Sequence, residues 1–130
     1  MKALLLLCLI SNCAVRLPNG IGGVGAPCSG YDAARHYWKV SIARMATNKH
    51  THVAVTGRVA LVKHEGDGDL HIKVSDGNRF MVAECIPALP CSEPKIGDVI
   101  TVRGISRYDG EHHWPEVHPV EKLTIQHKEQ

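Results

Sequence analysis

Two short segments carry the residue types that could do chemistry. Asp67-Gly68-Asp69-Leu70-His71-Ile72 sets two carboxylates and an imidazole close together, and Trp114-Pro115-Glu116-Val117-His118-Pro119-Val120 does the same with an indole, a carboxylate and an imidazole. Carboxylates favour calcium or magnesium, whereas imidazoles favour zinc, copper or nickel. Asp67, Asp69, His71 and His118 are therefore the candidate ligands of a divalent metal ion, and no other cofactor is expected. The same residues have a plainer use. Asp and Gly are what a tight turn requires. His71 and His118, each inside a strand, can bond to Asp69 and Glu116 or to strand backbone. The nine histidines are scattered rather than set at a recognised ligand spacing.

No catalytic residue emerges, because the chain has no Ser/His/Asp nucleophile motif, phosphate loop or H-E-x-x-H motif. Glu84 is the unusual acid. It shares a strand face with Phe80, Val82 and Ile86, and a buried carboxylate needs a partner or a raised pKa. Arg58, Arg103 or a histidine could serve.

The elements that must position these groups read as β. From His52 on, Val53, Val55, Val59 and Leu61 alternate with Ala54, Thr56, Arg58 and Ala60, which predicts a long first strand bent near Gly57. Leu70, Ile72 and Val74 alternate in a second strand, and Asp76-Gly77-Asn78 turns the chain into a third over Arg79 to Ile86. Pro87 to Gly97 is a proline-rich connection in place of a helix. Val99 to Tyr108 and Trp114 to about Ile125 form the last hairpin. The expectation is an all-β fold, a five-stranded OB-fold-like Greek-key barrel over residues 52–127. An SH3-like barrel is the alternative.

In an OB-fold the loops after the first and fourth strands flank one binding cleft. Here these are residues 64–69 and 108–114. His64, Tyr108, His112, His113 and Trp114 are the candidate ligand-binding residues at that rim. Tyr108 and Trp114 could stack a base or a sugar ring, or simply cover the barrel end.

Upstream, residues 1–16 read as a signal segment, with Lys2 before the apolar run Ala3 to Ile10, which is too short to span a membrane. Residues 17–51 read as a linker and an irregular N-terminal arm, in which Tyr31 to Met45 is a short helix or an extended segment packed on the domain's flank. Removing Lys2 and Arg16 leaves 13 cations against 13 acids, so nucleic acid is disfavoured as a partner, although Lys63, Lys73, Arg79, Arg103 and Arg107 could still form a basic stripe. The chain is expected to be secreted or periplasmic, with lipid anchoring through Cys13 as the weaker alternative. An oxidising compartment permits a disulfide; Cys85 and Cys91 flank a loop short enough to staple and are the favoured pair, although Cys28 could instead pair with either. The function expected is that of a non-catalytic binding domain, its ligand being an oligosaccharide, a peptide, single-stranded nucleic acid or a metal ion.

A resemblance rests on Gly57-Arg58-Val59, Val62-Lys63, Asp67 to Ile72, Met81-Val82-Ala83-Glu84-Cys85-Ile86-Pro87 and Glu116-Val117-His118-Pro119-Val120. In that order these resemble a group of small, often secreted bacterial proteins with the patterns D-x-D-Y-H-[IL], M-[IV]-A-E-I-P and [WI]-E-[IL]-H-P-V. It covers roughly residues 52 to 125, departs at Leu70 and Cys85, and implies an OB-like barrel without an activity to carry over. The run from Val62 through Asp67-Gly68-Asp69 is also similar to the start of thermonuclease-type OB barrels, where a D-G-D-T segment supports calcium binding. Leu70 stands for the threonine, and Arg79 and Glu84 are wrongly spaced for that family's catalytic set. A metal-dependent nuclease, or a single-stranded nucleic-acid-binding OB module, is the alternative function.

Overall fold

In a computed structural model, residues 34–126 are described throughout, together with the backbone of β1 (Leu7–Cys8) and β2 (Cys13–Ala14), which pair antiparallel within a separate unit, residues 1–30. The expected signal segment, the Cys13 anchor and the linker as far as residue 33 otherwise lie outside the described residues. Among the described residues no helix is long and apolar enough to cross a membrane.

The second unit contains β3 (Trp38–Lys39), α1 (Ile42–Met45), β4 (His52–His64), β5 (Leu70–Ser75), β6 (Phe80–Cys85), β7 (Val99–Asp109) and β8 (Trp114–Gln126). The strands run β3-β4-β5-β6-β8-β7, and β7 pairs back onto β4 to close a five-stranded barrel. β8 lies between β6 and β7, parallel to β6 and antiparallel to β7. That insertion is the Greek-key feature of an OB-like barrel, and it sets aside the SH3-like alternative.

β4 can serve two neighbours because it is long and bent. His52 to Arg58 pair with β7, and Arg58 to His64 pair with β5. A bulge between Val59 and Leu61 corrects the simple alternation. One extra residue reverses which side chains face inward, so Leu61 is 49% exposed while Val62 packs against the core. The interior is filled mainly by Val, Ile and Met from all five strands, with Val53, Val55, Ile72, Met81, Ile100 and Val102 each fully buried. Each such side chain stabilises the barrel by roughly 1.5–3 kcal/mol.

Residues 34–51 form an arm that packs on the barrel. Ile42 and Met45 of α1 are each 3% exposed and join the barrel core. A four-residue helix has no stability of its own, so burial of these two side chains holds it. Gly57 makes room for Ile42, since a Cβ there would lie 2.6 Å from Ile42 Cδ1 and 2.7 Å from Val74 Cγ1. Arg35 Nη1 and Tyr37 Oη each contact the Glu121 carboxylate at 2.6 Å, which ties the arm to β8. Residues 86–98 contain no helix, in line with their prolines.

β7 and β8 approach closely at Gly104. A Cβ there would collide with the carbonyl oxygen of Pro119 and lie 2.8 Å from Val117 Cγ1. The obstacle is backbone, which a rotamer change cannot relieve. Gly104→Ala is expected to lower stability by about 2–3 kcal/mol in urea unfolding. Gly110→Ala, where nothing lies within 4 Å, should stay within about 0.5 kcal/mol. Equal midpoints for the two variants would refute the close approach.

Candidate metal centre on the outer barrel face

Strand pleating sends alternate side chains out of the barrel. On β5, β6 and β8 the outward set is rich in ionisable groups. Register places His71 opposite Glu84 across β5 and β6. Val82 and Ala83 face Glu116 and Val117 across β6 and β8, which puts Glu84 beside His118. Arg107 lies opposite Glu116 on β7. The row His71, Glu84, His118 therefore runs across three strands.

The distances follow from this order. His118 Nδ1 is 2.7 Å from Glu84 Oε2 and 3.6 Å from Glu116 Oε1. His71 Nε2 is 3.4 Å from Glu84 Oε1, and its Nδ1 is 3.6 Å from Glu65 Oε1. Asp69, at the end of the β4–β5 loop, completes a triad with Glu84 and His118 whose potential ligand atoms all lie within 4.8 Å of one another. Tetrahedral ligands with bonds of about 2.0–2.2 Å sit roughly 3.4 Å apart, so small side-chain movements would close this group on an ion.

Both glutamates are buried, Glu84 at 6% and Glu116 at 0% exposure. Arg107 Nε approaches Glu116 Oε1 to 2.6 Å. Despite such short contacts, both Glu116 oxygens and His118 Nδ1 lack a partner at hydrogen-bonding angles. These are ion-pair contacts whose angles leave hydrogen-bonding capacity over. Burial, then the neighbouring Glu84 carboxylate, pushes the Glu116 acid above its ordinary range, while Arg107 and His118 pull it down. Unpartnered buried carboxylate oxygens are costly unless a proton or a cation meets them.

The sequence-predicted residues divide. Asp69 and His118 come together, His71 reaches Glu84, and Asp67 stays apart. Asp67 is exposed, and its Oδ1 accepts a hydrogen bond from the Asp69 N–H at 3.1 Å, which is turn chemistry. Glu84 finds histidines rather than Arg58 or Arg103, and Arg58 instead donates to the Gly97 carbonyl at 2.6 Å. Sequence reading did not bring out Glu84 and Glu116 as ligands. The available signal was an acid inside an otherwise apolar strand, as in Met-Val-Ala-Glu-Cys.

The two rim loops do not meet. Leu70, after the first loop, pairs with Cys85 at one end of β6, while Trp114, after the second, packs 6.2 Å from Phe80 at the other. A six-residue strand separates them by about 16 Å. His64 pairs with Glu93 at 2.9 Å, far from the second loop. His112 stacks on Trp114 with ring centroids 4.6 Å apart, Tyr108 is exposed on β7, and His113 is exposed at φ 61°. The loops thus bound the two ends of one face, and the metal-ligating types lie at the Asp69 end.

A disulfide joins Cys85 to Cys91, with Cα atoms 5.8 Å apart, directly after Glu84. Its loop carries Pro87, which lies against Gly68, where φ is +97° and a Cβ would sit 3.1 Å from Pro87 Cγ. The bridge and the Asp67–Asp69 turn are therefore packed together. Compared with family models and with curated proteins, the chain matches none.

At the far end of the face, His112 Nδ1 is 2.7 Å from Asp109 Oδ2. The imidazole holds the Asp109 carboxyl down to about 2, and that carboxylate in turn raises His112. The depressed acid favours folding above pH 3.8 and loses this as pH falls towards 2. The raised base favours folding below pH 6.5 and loses this as pH climbs through its folded value. In an NMR titration His112 should titrate above 6.5, and Asp109→Asn should return it to the ordinary value. No change on that substitution would dismiss the pair.

Proposed function

We propose that this protein is a secreted or periplasmic, non-catalytic OB-type binding domain that holds one divalent transition-metal ion on its outer barrel face. Asp69, Glu84 and His118 are the ligands, with His71 available as a fourth and Glu116 behind them. One observation carries this reading: Asp69, buried Glu84 and His118 bring potential ligand atoms within 4.8 Å of one another, with His71 3.4 Å from the same Glu84 carboxylate. A cation held there would offset the negative charge of the two neighbouring carboxylates Asp69 and Glu84. The mixture of oxygen and imidazole nitrogen suits zinc, manganese or iron(II) better than calcium.

The disulfide supports an oxidising compartment, where such bridges persist. The nuclease alternative is less well supported, because the Asp67 carboxylate is taken up by a turn and the thermonuclease acid pair is thereby reduced to Asp69. His71 and His118 are each about a quarter exposed, so water reaches the ion from outside.

Isothermal titration with zinc, and with manganese as a second probe, tests the reading. One site per chain is expected. Saturation at a hundred times Kd should stabilise the fold by about 2.7 kcal/mol. Glu84→Gln and His118→Ala should each abolish the heat, while Asp67→Ala leaves it intact. Absence of heat and of any shift in Tm with either ion would rule the site out.

A further inference from the structure

The metal face is acidic, but charge is distributed unevenly along the chain. From Ala33 to His64 there are six Lys or Arg residues and no Asp or Glu. Lys39, Arg44 and Lys49 are exposed and line one cleft of about 470 Å³ formed by β3, α1 and the segment leading into β4. No acidic side chain among the described residues pairs with any of the three. Solvated cations alone would be an ordinary surface. What distinguishes this one is the set of rings beside it.

Trp38 is 51% exposed and contributes little to the core. It stacks on His50 with centroids 4.3 Å apart and planes 16° from parallel, and it meets the edge of His36 at 4.7 Å. A second cleft continues from Lys49 and His50 to Arg107 and Tyr108, and Tyr108 is 53% exposed. Cations alternating with open aromatic rings match a ligand that alternates phosphates with flat bases. The near-neutral net charge does not oppose this, since a screened interaction is felt over about 10 Å and follows the local charge.

We propose that this basic and aromatic face binds single-stranded nucleic acid, with phosphates at Lys39, Arg44 and Lys49 and bases stacked on the Trp38–His50 pair. Its phosphate-binding cations and its stacking pair belong to the N-terminal arm, and none of them is a metal ligand. Double-stranded nucleic acid would keep its bases inside and leave Trp38 without a partner.

The test uses the purified protein, a fluorescent oligothymidylate and EDTA, so that the metal centre cannot contribute. Log affinity should fall with log salt at a slope of about −2, three phosphates at about 0.7 each. The triple variant Lys39→Ala, Arg44→Ala, Lys49→Ala should bring the slope near zero. Trp38→Ala should weaken binding about five- to a hundredfold and leave the slope unchanged. All four positions are exposed, so the fold should survive, which thermal unfolding would verify. No binding at low salt would overturn the proposal. So would equal binding of dextran sulfate with no effect of Trp38→Ala, which would mean a general polyanion surface. Preferential capture by vesicles rich in phosphatidylserine would overturn it in favour of a membrane.

Discussion

The contact on which the rest depends is the parallel pairing of β6 with β8. It spans only Val82 with Glu116 and Ala83 with Val117. On the other side of the barrel, β4 and β7 share seven paired positions. Closure therefore rests on its shortest seam. That seam faces two ways, with Ala83 and Val117 turned into the core and Glu84, Glu116 and His118 turned outward. A one-residue slip of β8 would drive Glu116 into the apolar interior and Val117 out of it. The acids that build the site thus also penalise the wrong register.

Much of the barrel was legible because its strands alternate simply. Ile72 and Val74, or Ile100 and Val102, announce an inward face with little interruption. Leu61 misled because a bulge is a backbone event with no distinctive residue to mark it. The arm was only half legible, its short helix and an extended segment being equally open, for a different reason. One helical turn offers only Ile42 and Met45, too short a pattern to separate from an extended segment, and the pocket that fixes it is made by Gly57 and Val74 much later in the chain.

The site was half legible. Asp69, His71 and His118 stood out by residue type, but grouping them required the β6–β8 seam, which joins positions over thirty residues apart. Without it, Glu84 was an acid in search of a partner, with Arg58, Arg103 and a histidine all open to it. Local sequence also overstated the rim loops, because residues such as Asp67, His112 and Asp109 complete one another within their own turns. Side chains that find partners two or three residues away have little capacity left for anything distant.

The crowding of cations into residues 33–64 has one more consequence. With Lys39, Arg44 and Lys49 exposed on the arm and Asp69, Glu84 and Glu116 grouped on the β5–β6–β8 face, a barrel close to neutral in sum carries surface patches of opposite sign. Such a body is not pulled toward a charged surface so much as turned by it. It presents one pole to an anionic neighbour and the other to a cationic one before any contact forms. Two copies at low salt would sense each other head to tail, and added salt would first remove this mutual orientation.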